Sequence, residues 1–228
     1  MVPTIEGKTY NFVNSGLYDG LFVLEDKETR TLWSHMTGEG LYGPHASYKM
    51  PVSNLLQMNV AQAMAMDSDM VIAISDRPYK NGTGFTNGRW NPENLDAKLM
   101  PAFVETLGDE DERLDRMAMG LGIWTDDTRR YYPTETIRAR GKYLVDEIEG
   151  RKLLIVLDPL TSTPTALYWN TDEATIEGRD ILLDDGFKIS NGVLYDSEGE
   201  LVEVERPQQL FTRWYGFALT FPGSEIIE

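Results

Sequence analysis

The C-terminal stretch RPQQLFTRWYGFALTFPGSEIIE constrains this chain most, because its pattern occurs twice. Leu210, Trp214, Phe217, Ala218 and Phe221 recur at helical spacing, and a short strand is predicted after them. Displaced by 156 residues, with Pro51 set beside Pro207, the segment PVSNLLQMNVAQAMAMDSD gives the same order of helix, turn and strand. Ser68 then lies under Ser224, and Met70–Val71 under Ile226–Ile227. The earlier helix is predicted from Leu56, Val60, Ala63 and Met64, with Ser53 as its N-cap. A hairpin precedes each helix: LEDKET at 24–29 and LYDSEG at 194–199 share Leu, Asp and Glu in register. The expectation is one domain over 1–228 with two hairpin–helix–strand units, 10–75 and 180–228, around a shared core. Residues 76–118 would connect them, and 119–179 would form central hairpins.

Between the repeats the chain alternates short apolar runs with turn residues, the pattern of antiparallel strands. YNFVNSG, LFVLED and TLWSHM read as strands, with DKETR as a polar turn, and MVIAIS as a further strand after the first helix. Residues 76–94 are rich in Gly, Pro and Asn and read as a long loop, with one or two short helices between 94 and 120. GLGIWTDDTRRYYP is a predicted hairpin around Asp126 and Asp127, and TETIRAR a short helix. YLVDEIEGRKLLIVLDP is a second hairpin turning at Glu149 and Gly150, with strands to follow at TALYWN, FKISNGVLYD and ELVEVE. The fold class is therefore α+β, mainly antiparallel β with a few short helices.

Composition excludes several functions. With 37 Asp and Glu against 21 Lys and Arg, the net charge of −16 repels phosphate backbones, so nucleic acid is not an expected partner. Cysteine is absent, which removes disulfides, thiolate nucleophiles and cysteine-ligated metal. Apolar runs such as LLIVL at 153–157 fall far short of the roughly 20 residues of a membrane span. MVPTIEGKTYNF lacks the charged start and apolar run of a signal peptide. Cofactor, oligomeric state and compartment have no signal in the sequence.

The spacing from hairpin to helix is 14 residues longer in the first unit, and the surplus surrounds WSHMTGEGLYGPH at 33–45, which holds both histidines. An element present in one copy only is not required for the unit to fold, so this segment is the candidate functional surface. His35, Glu39 and His45 are of the types that bind zinc, iron or copper, and His35 with Glu39 also suits acid–base chemistry. The alternative is a glycine-punctuated hairpin in which His35 bonds backbone and Glu39 is solvated. Asp158, with the hydroxyls of Thr161, Ser162 and Thr163 after it, reads either as a catalytic strand end or as an Asp-Pro turn. Trp33, Tyr42, Tyr79, Trp90 and Tyr132 are candidate ligand contacts, and Thr37 adds a hydroxyl. Arg77, Arg129 and Arg130 can meet an anion or pair with surface carboxylates. Two functions follow: a small-molecule binding or catalytic pocket between the units, or a module that docks a protein partner through aromatic helices or the 76–94 loop.

SGLYDGLFVLEDKETRTLWSHMTGEGLYGP resembles the signature of a bacterial and archaeal family catalogued as domain of unknown function 3179. That signature runs as Ser-Gly, a Leu/Tyr pair, Asp-x-Glu-Thr, Leu-Trp, Thr-Gly-Glu and Gly-Pro. RPY at 77–79, RRYYP at 129–133, VDEIEGRKLLIVLDP at 145–159 and the terminal FPGSEI extend the match. The resemblance implies no activity. Many members carry Cys-Pro-Leu-Cys-Gly-Thr where this chain reads DPLTSTPTA from Asp158, so a thiol or metal role of those cysteines does not apply here. The position of His45 is usually apolar in the family, and that of His35 commonly polar.

Overall fold

A computed structural model describes residues 3–72, 74, 99, 101–184 and 186–228, and in it the run Leu153 to Leu157 is a strand buried on both faces. The chain begins with a ribbon of β1 (Thr4–Ile5) and β2 (Lys8–Thr9). An antiparallel meander follows, made of β3 (Phe12–Tyr18), β4 (Leu21–Asp26), β5 (Leu32–Ser34) and β6 (Gly40–Tyr42). Two helices come next, α1 (Val60–Met66) and α2 (Pro101–Val104). Then come β7 (Met119–Trp124), β8 (Arg129–Pro133), α3 (Thr134–Ala139), β9 (Tyr143–Ile148), β10 (Arg151–Leu157) and β11 (Pro164–Tyr168). A second meander contains β12 (Ala174–Glu177), β13 (Asp180–Leu183), β14 (Lys188–Ser190) and β15 (Val193–Tyr195). The chain closes with β16 (Gln208–Arg213), α4 (Trp214–Thr220) and β17 (Glu225–Ile226).

Alternation along β10 sets the layers, because successive side chains point to opposite faces. Leu153, Ile155 and Leu157 join Leu121, Ile123 and Ile137 in one core, against β7 and α3. Leu154 and Val156 join Leu167, Ile181, Ile189 and Leu194 in another, against the β12–β15 meander. The β11-β10-β9 sheet is thus a middle layer. The next sheet, ordered β16-β7-β8-β17, is also covered on both sides, since Tyr132 faces the middle layer and Tyr131 packs with Trp214 and Phe217 of α4. Its last pair, β17 on β8, is parallel, while the other pairs among the described strands are antiparallel. Met36 and Leu21 of the first meander close the far side of α4.

The predicted hairpins at 126–127 and 149–150, the strands of the first meander and the helix at TETIRAR are all present. Elsewhere the structure departs from the sequence reading. Residues 208–213, expected as helix, pair with β7 from Gln208↔Trp124 to Arg213↔Met119, so Leu210 lies in a strand. The first helix starts at Val60 rather than after Ser53, because Asn59 and Gln62 form a reciprocal capping box. The polar groups just before it are used elsewhere: Asn54 accepts from the Gln209 amide at 3.1 Å and Val52 from the Gln208 amide side chain at 3.2 Å. Residues 109–118 form turns, since the Asp111 and Asp115 carboxylates take the Arg113 and Met117 amides. Met70, Val71, Ile72 and Ile74 of MVIAIS are not in a strand, and Leu201 makes only an isolated bridge where ELVEVE was read as one. The 76–94 loop lies outside the described residues.

Gly122 on β7 shows how closely α4 sits, for a Cβ there would overlap the Phe217 ring. Gly122→Ala is expected to lower unfolding stability by about 1–3 kcal/mol, the usual cost of overpacking, as a reduced midpoint in urea.

Candidate functional site

The 33–45 segment is held together from its own hairpin. Asp26, fully buried at the end of β4, accepts from the Thr29 amide at 2.5 Å, from the Thr29 hydroxyl and from the Trp33 indole at 2.8 Å. Trp33 is 0% exposed and packs on Phe12 and His45. His45 shares a hydrogen bond with the Tyr10 hydroxyl at 3.3 Å and sits among the Tyr10, Trp33 and Tyr48 rings. His35 instead donates Nδ1–H to the Phe22 carbonyl at 2.9 Å. A Cβ on Gly40 would overlap the His45 carbonyl, and one on Gly38, at φ 73°, would lie 2.6 Å from the Met50 carbonyl. Those glycines let the backbone fold back tightly.

Asp158 repeats the device of Asp26. One oxygen accepts from the Leu160 and Thr161 amides at 3.0 and 2.7 Å and from the Thr161 hydroxyl at 2.9 Å, and the other from the Gln62 amide side chain at 3.0 Å. Beside it, a cavity of about 20 Å³ lined by Gln62, Asn191 and Thr165 has room for about one water.

The larger concavity lies elsewhere, where the first meander meets the β7–β8 hairpin and the segment entering β16. This groove has a volume of about 1010 Å³. Thr37, Glu39 and Lys49 form one wall, Asp126, Asp127 and Arg129 another, and Glu205 and Arg206 lie opposite. Among the described residues Glu39, Asp127 and Glu149 of this lining have no ion pair, while Glu205 is gripped by both Arg151 nitrogens at 2.8 Å and Lys49 lies 3.6 Å from Asp126. Two arginines also line the groove. Arg129 donates to the Thr128 and Asp126 carbonyls at 3.0 Å and lies 5.4 Å from the Phe221 ring centre. Half-buried Arg206 donates from Nη1 to the Thr165 hydroxyl at 2.8 Å and the Ala166 carbonyl at 3.3 Å, and from Nη2 to the Gly192 carbonyl at 3.4 Å. Among the described residues neither arginine has a carboxylate within ion-pair distance. Burial pushes the Arg206 guanidinium below its ordinary value.

A smaller cavity of about 180 Å³ lies between β4, β6 and α4, and Thr37, Glu39 and Thr220 line both it and the groove.

A family model described as Protein of unknown function (DUF3179) matches residues 2–219. The chain belongs to this family. No curated protein and no solved structure matches it.

In this DUF3179 protein only part of the sequence-predicted site comes together. Thr37 and Glu39 line the groove, with Arg129. Trp33 is core rather than ligand contact, because its ring is buried and its indole N–H is used by Asp26. Asp158 and Thr161 are bonded to each other in a turn and are not part of the groove lining. Arg130 is an ion-pair residue, 3.1 Å from Asp146 and 2.7 Å from Glu225. Tyr42 is 74% exposed on β6, outside the groove lining. His35 and His45 bond different partners, and among the described residues no group of His, Asp and Glu is placed to hold a metal ion. Arg77, Tyr79 and Trp90 lie outside the described residues. Arg206 was missed, since the neutral groups that hold it come from β11 and the β14–β15 turn and leave no mark beside it in the sequence.

Asp26 gives a pH signature. Burial pushes its carboxyl up, but the bonds from Trp33, Thr29 and Thr31 outweigh this and hold it below the ordinary 3.8. Its folded-state value is therefore depressed. The stability it contributes is present above the unfolded value and is lost as pH falls through the folded one. Asp26→Asn is expected to cost about 2–4 kcal/mol at neutral pH in urea unfolding. The gap from the unmodified protein should narrow below about pH 4.

Proposed function

We propose that this protein binds a small carboxylate-bearing molecule in the groove between the first meander and the β7–β8 hairpin, with Arg206 as the main charge partner and Arg129 as the second. The observation that carries this reading is Arg206, a half-buried cation held by neutral oxygens and without an ion pair among the described residues. Withdrawing a guanidinium from water costs several kcal/mol unless an anion compensates it. In a chain of net charge −16, carboxylates to compensate it are abundant, yet those lining the groove are turned to Arg151 and Lys49 or left toward solvent. A guanidinium also has five N–H donors, and the bonds of Arg206 from Nη1 and Nη2 go to neutral acceptors, which leaves donors over for a carboxylate.

Binding rather than catalysis is the better-supported role. The candidate acid–base groups His35 and Asp158 are engaged away from the groove, and Glu39 alone of that set lines it. The competing role, docking of a protein partner, draws on the exposed Tyr18, Phe22 and Tyr42, which are 66%, 54% and 74% exposed.

Calorimetric titration with acetate, succinate and benzoate tests the reading. At least one acid is expected to bind, with affinity falling as salt is raised. Arg206→Gln should weaken it about tenfold or more, and Arg129→Gln by less. Absence of binding by all the acids, or equal binding by Arg206→Gln, sinks the proposal. Glu39→Gln removes a like charge from the groove wall and should tighten binding about twofold at low salt, converging on the unmodified protein at high salt.

A further inference from the structure

Thr37, Glu39 and Thr220 line both the groove and the cavity of about 180 Å³, whose apolar lining includes Leu21, Phe22, Val23, Leu41 and Leu219. Cavity space of roughly 150 Å³ accommodates a benzene ring, so this one takes an apolar group of about six carbons. Its charged lining, Asp19 and Glu39, is negative and makes no ion pair among the described residues. An anionic head is therefore repelled from this end and attracted to the arginine end, while an apolar tail is favoured in the reverse sense. Phe22 and Leu41, 54% and 48% exposed, have apolar surface that such a tail would cover.

We infer that the ligand is an amphipathic carboxylate, with its head at Arg206 and Arg129 and an alkyl or aryl tail of about six carbons lodged between β4, β6 and α4. This rests on the carboxylate reading of the groove. Thr37 and Thr220, which line both spaces, are flanking residues and are not required to bond the ligand.

The test is a series of straight-chain monocarboxylates from acetate to decanoate, titrated at concentrations below micelle formation. Affinity should rise about threefold to fourfold for each added methylene and level off once the cavity is filled. Leu219→Trp, which fills the cavity, and Leu41→Asp, which charges its rim, should each flatten the series while leaving acetate binding unchanged. The Arg206→Gln variant should lower every member by a similar factor. A flat series in the unmodified protein, with acids still sensitive to Arg206→Gln, overturns the tail and leaves the head reading standing. A gain per methylene that persists in both cavity variants also overturns it, because the tail then lies elsewhere. If no acid of any length binds, both readings fall.

Discussion

A strand with no face for water is the constraint on which the rest of the structure depends. The five residues Leu153 to Leu157 are buried on both sides of β10, and an antiparallel sheet usually leaves one side solvated. Covering both sides requires one sheet beneath and another above, which β7–β8 and the β12–β15 meander supply. The lower of these must itself be covered, and α4 does so through Trp214, Phe217 and Phe221. Each layer thus exists because the one inside it exposes apolar surface. The first meander is attached last, through Met36 and Leu21 against α4, and the groove is the seam left where that attachment meets the β7–β8 hairpin.

Buried charge is used in opposite ways within this frame. Asp26 and Asp158 are surrounded by amide, hydroxyl and indole donors, so their negative charge closes a turn and leaves nothing over for a ligand. Arg206 is surrounded by oxygens that carry no charge. Both arrangements satisfy hydrogen bonds, yet they differ in electrostatics, because the bonds that Asp26 accepts hold its charged form whereas a cation on neutral acceptors is stabilised far less.

Sequence reasoning succeeded where structure is decided locally. The hairpins at 126–127 and 149–150 announce themselves by turn residues between alternating runs, and Glu149 does take the left-handed conformation, at φ 52°, that such a turn needs. It failed where a distant partner decides. Leu210, Trp214 and Phe217 have helical spacing, but the edge of β7 captures Gln208 to Arg213 as a strand and the helix begins only at Trp214. The helix at Val60 was readable, since Asn59 and Gln62 stand at capping-box spacing, although Ser53 was the more familiar signal. The site divides in the same way. Thr37 and Glu39 of the surplus segment line the groove, whereas the histidines that drew attention to that segment are held by Tyr10 and by the Phe22 carbonyl. Rarity made the imidazoles conspicuous without making them reactive.

Arg206 illustrates the limit from the other side, since its interest lies in a partner it lacks among the described residues. Its neutral contacts join β11 to the β14–β15 turn, and an uncharged side chain of similar length would do this without the cost of desolvating a cation. The charge therefore adds nothing to the fold that its hydrogen bonds do not, and it weakens the ligand-free protein by comparison. On the proposed reading, an anion entering the groove would remove that weakness and link binding to folding: the ligand would favour the folded chain by an amount that grows with its concentration over its dissociation constant. On that reading Arg206 is an electrostatic liability in the empty protein and an asset in the occupied one, and none of the arginines paired among the described residues, Arg30, Arg113, Arg116, Arg130, Arg138 or Arg151, has that property.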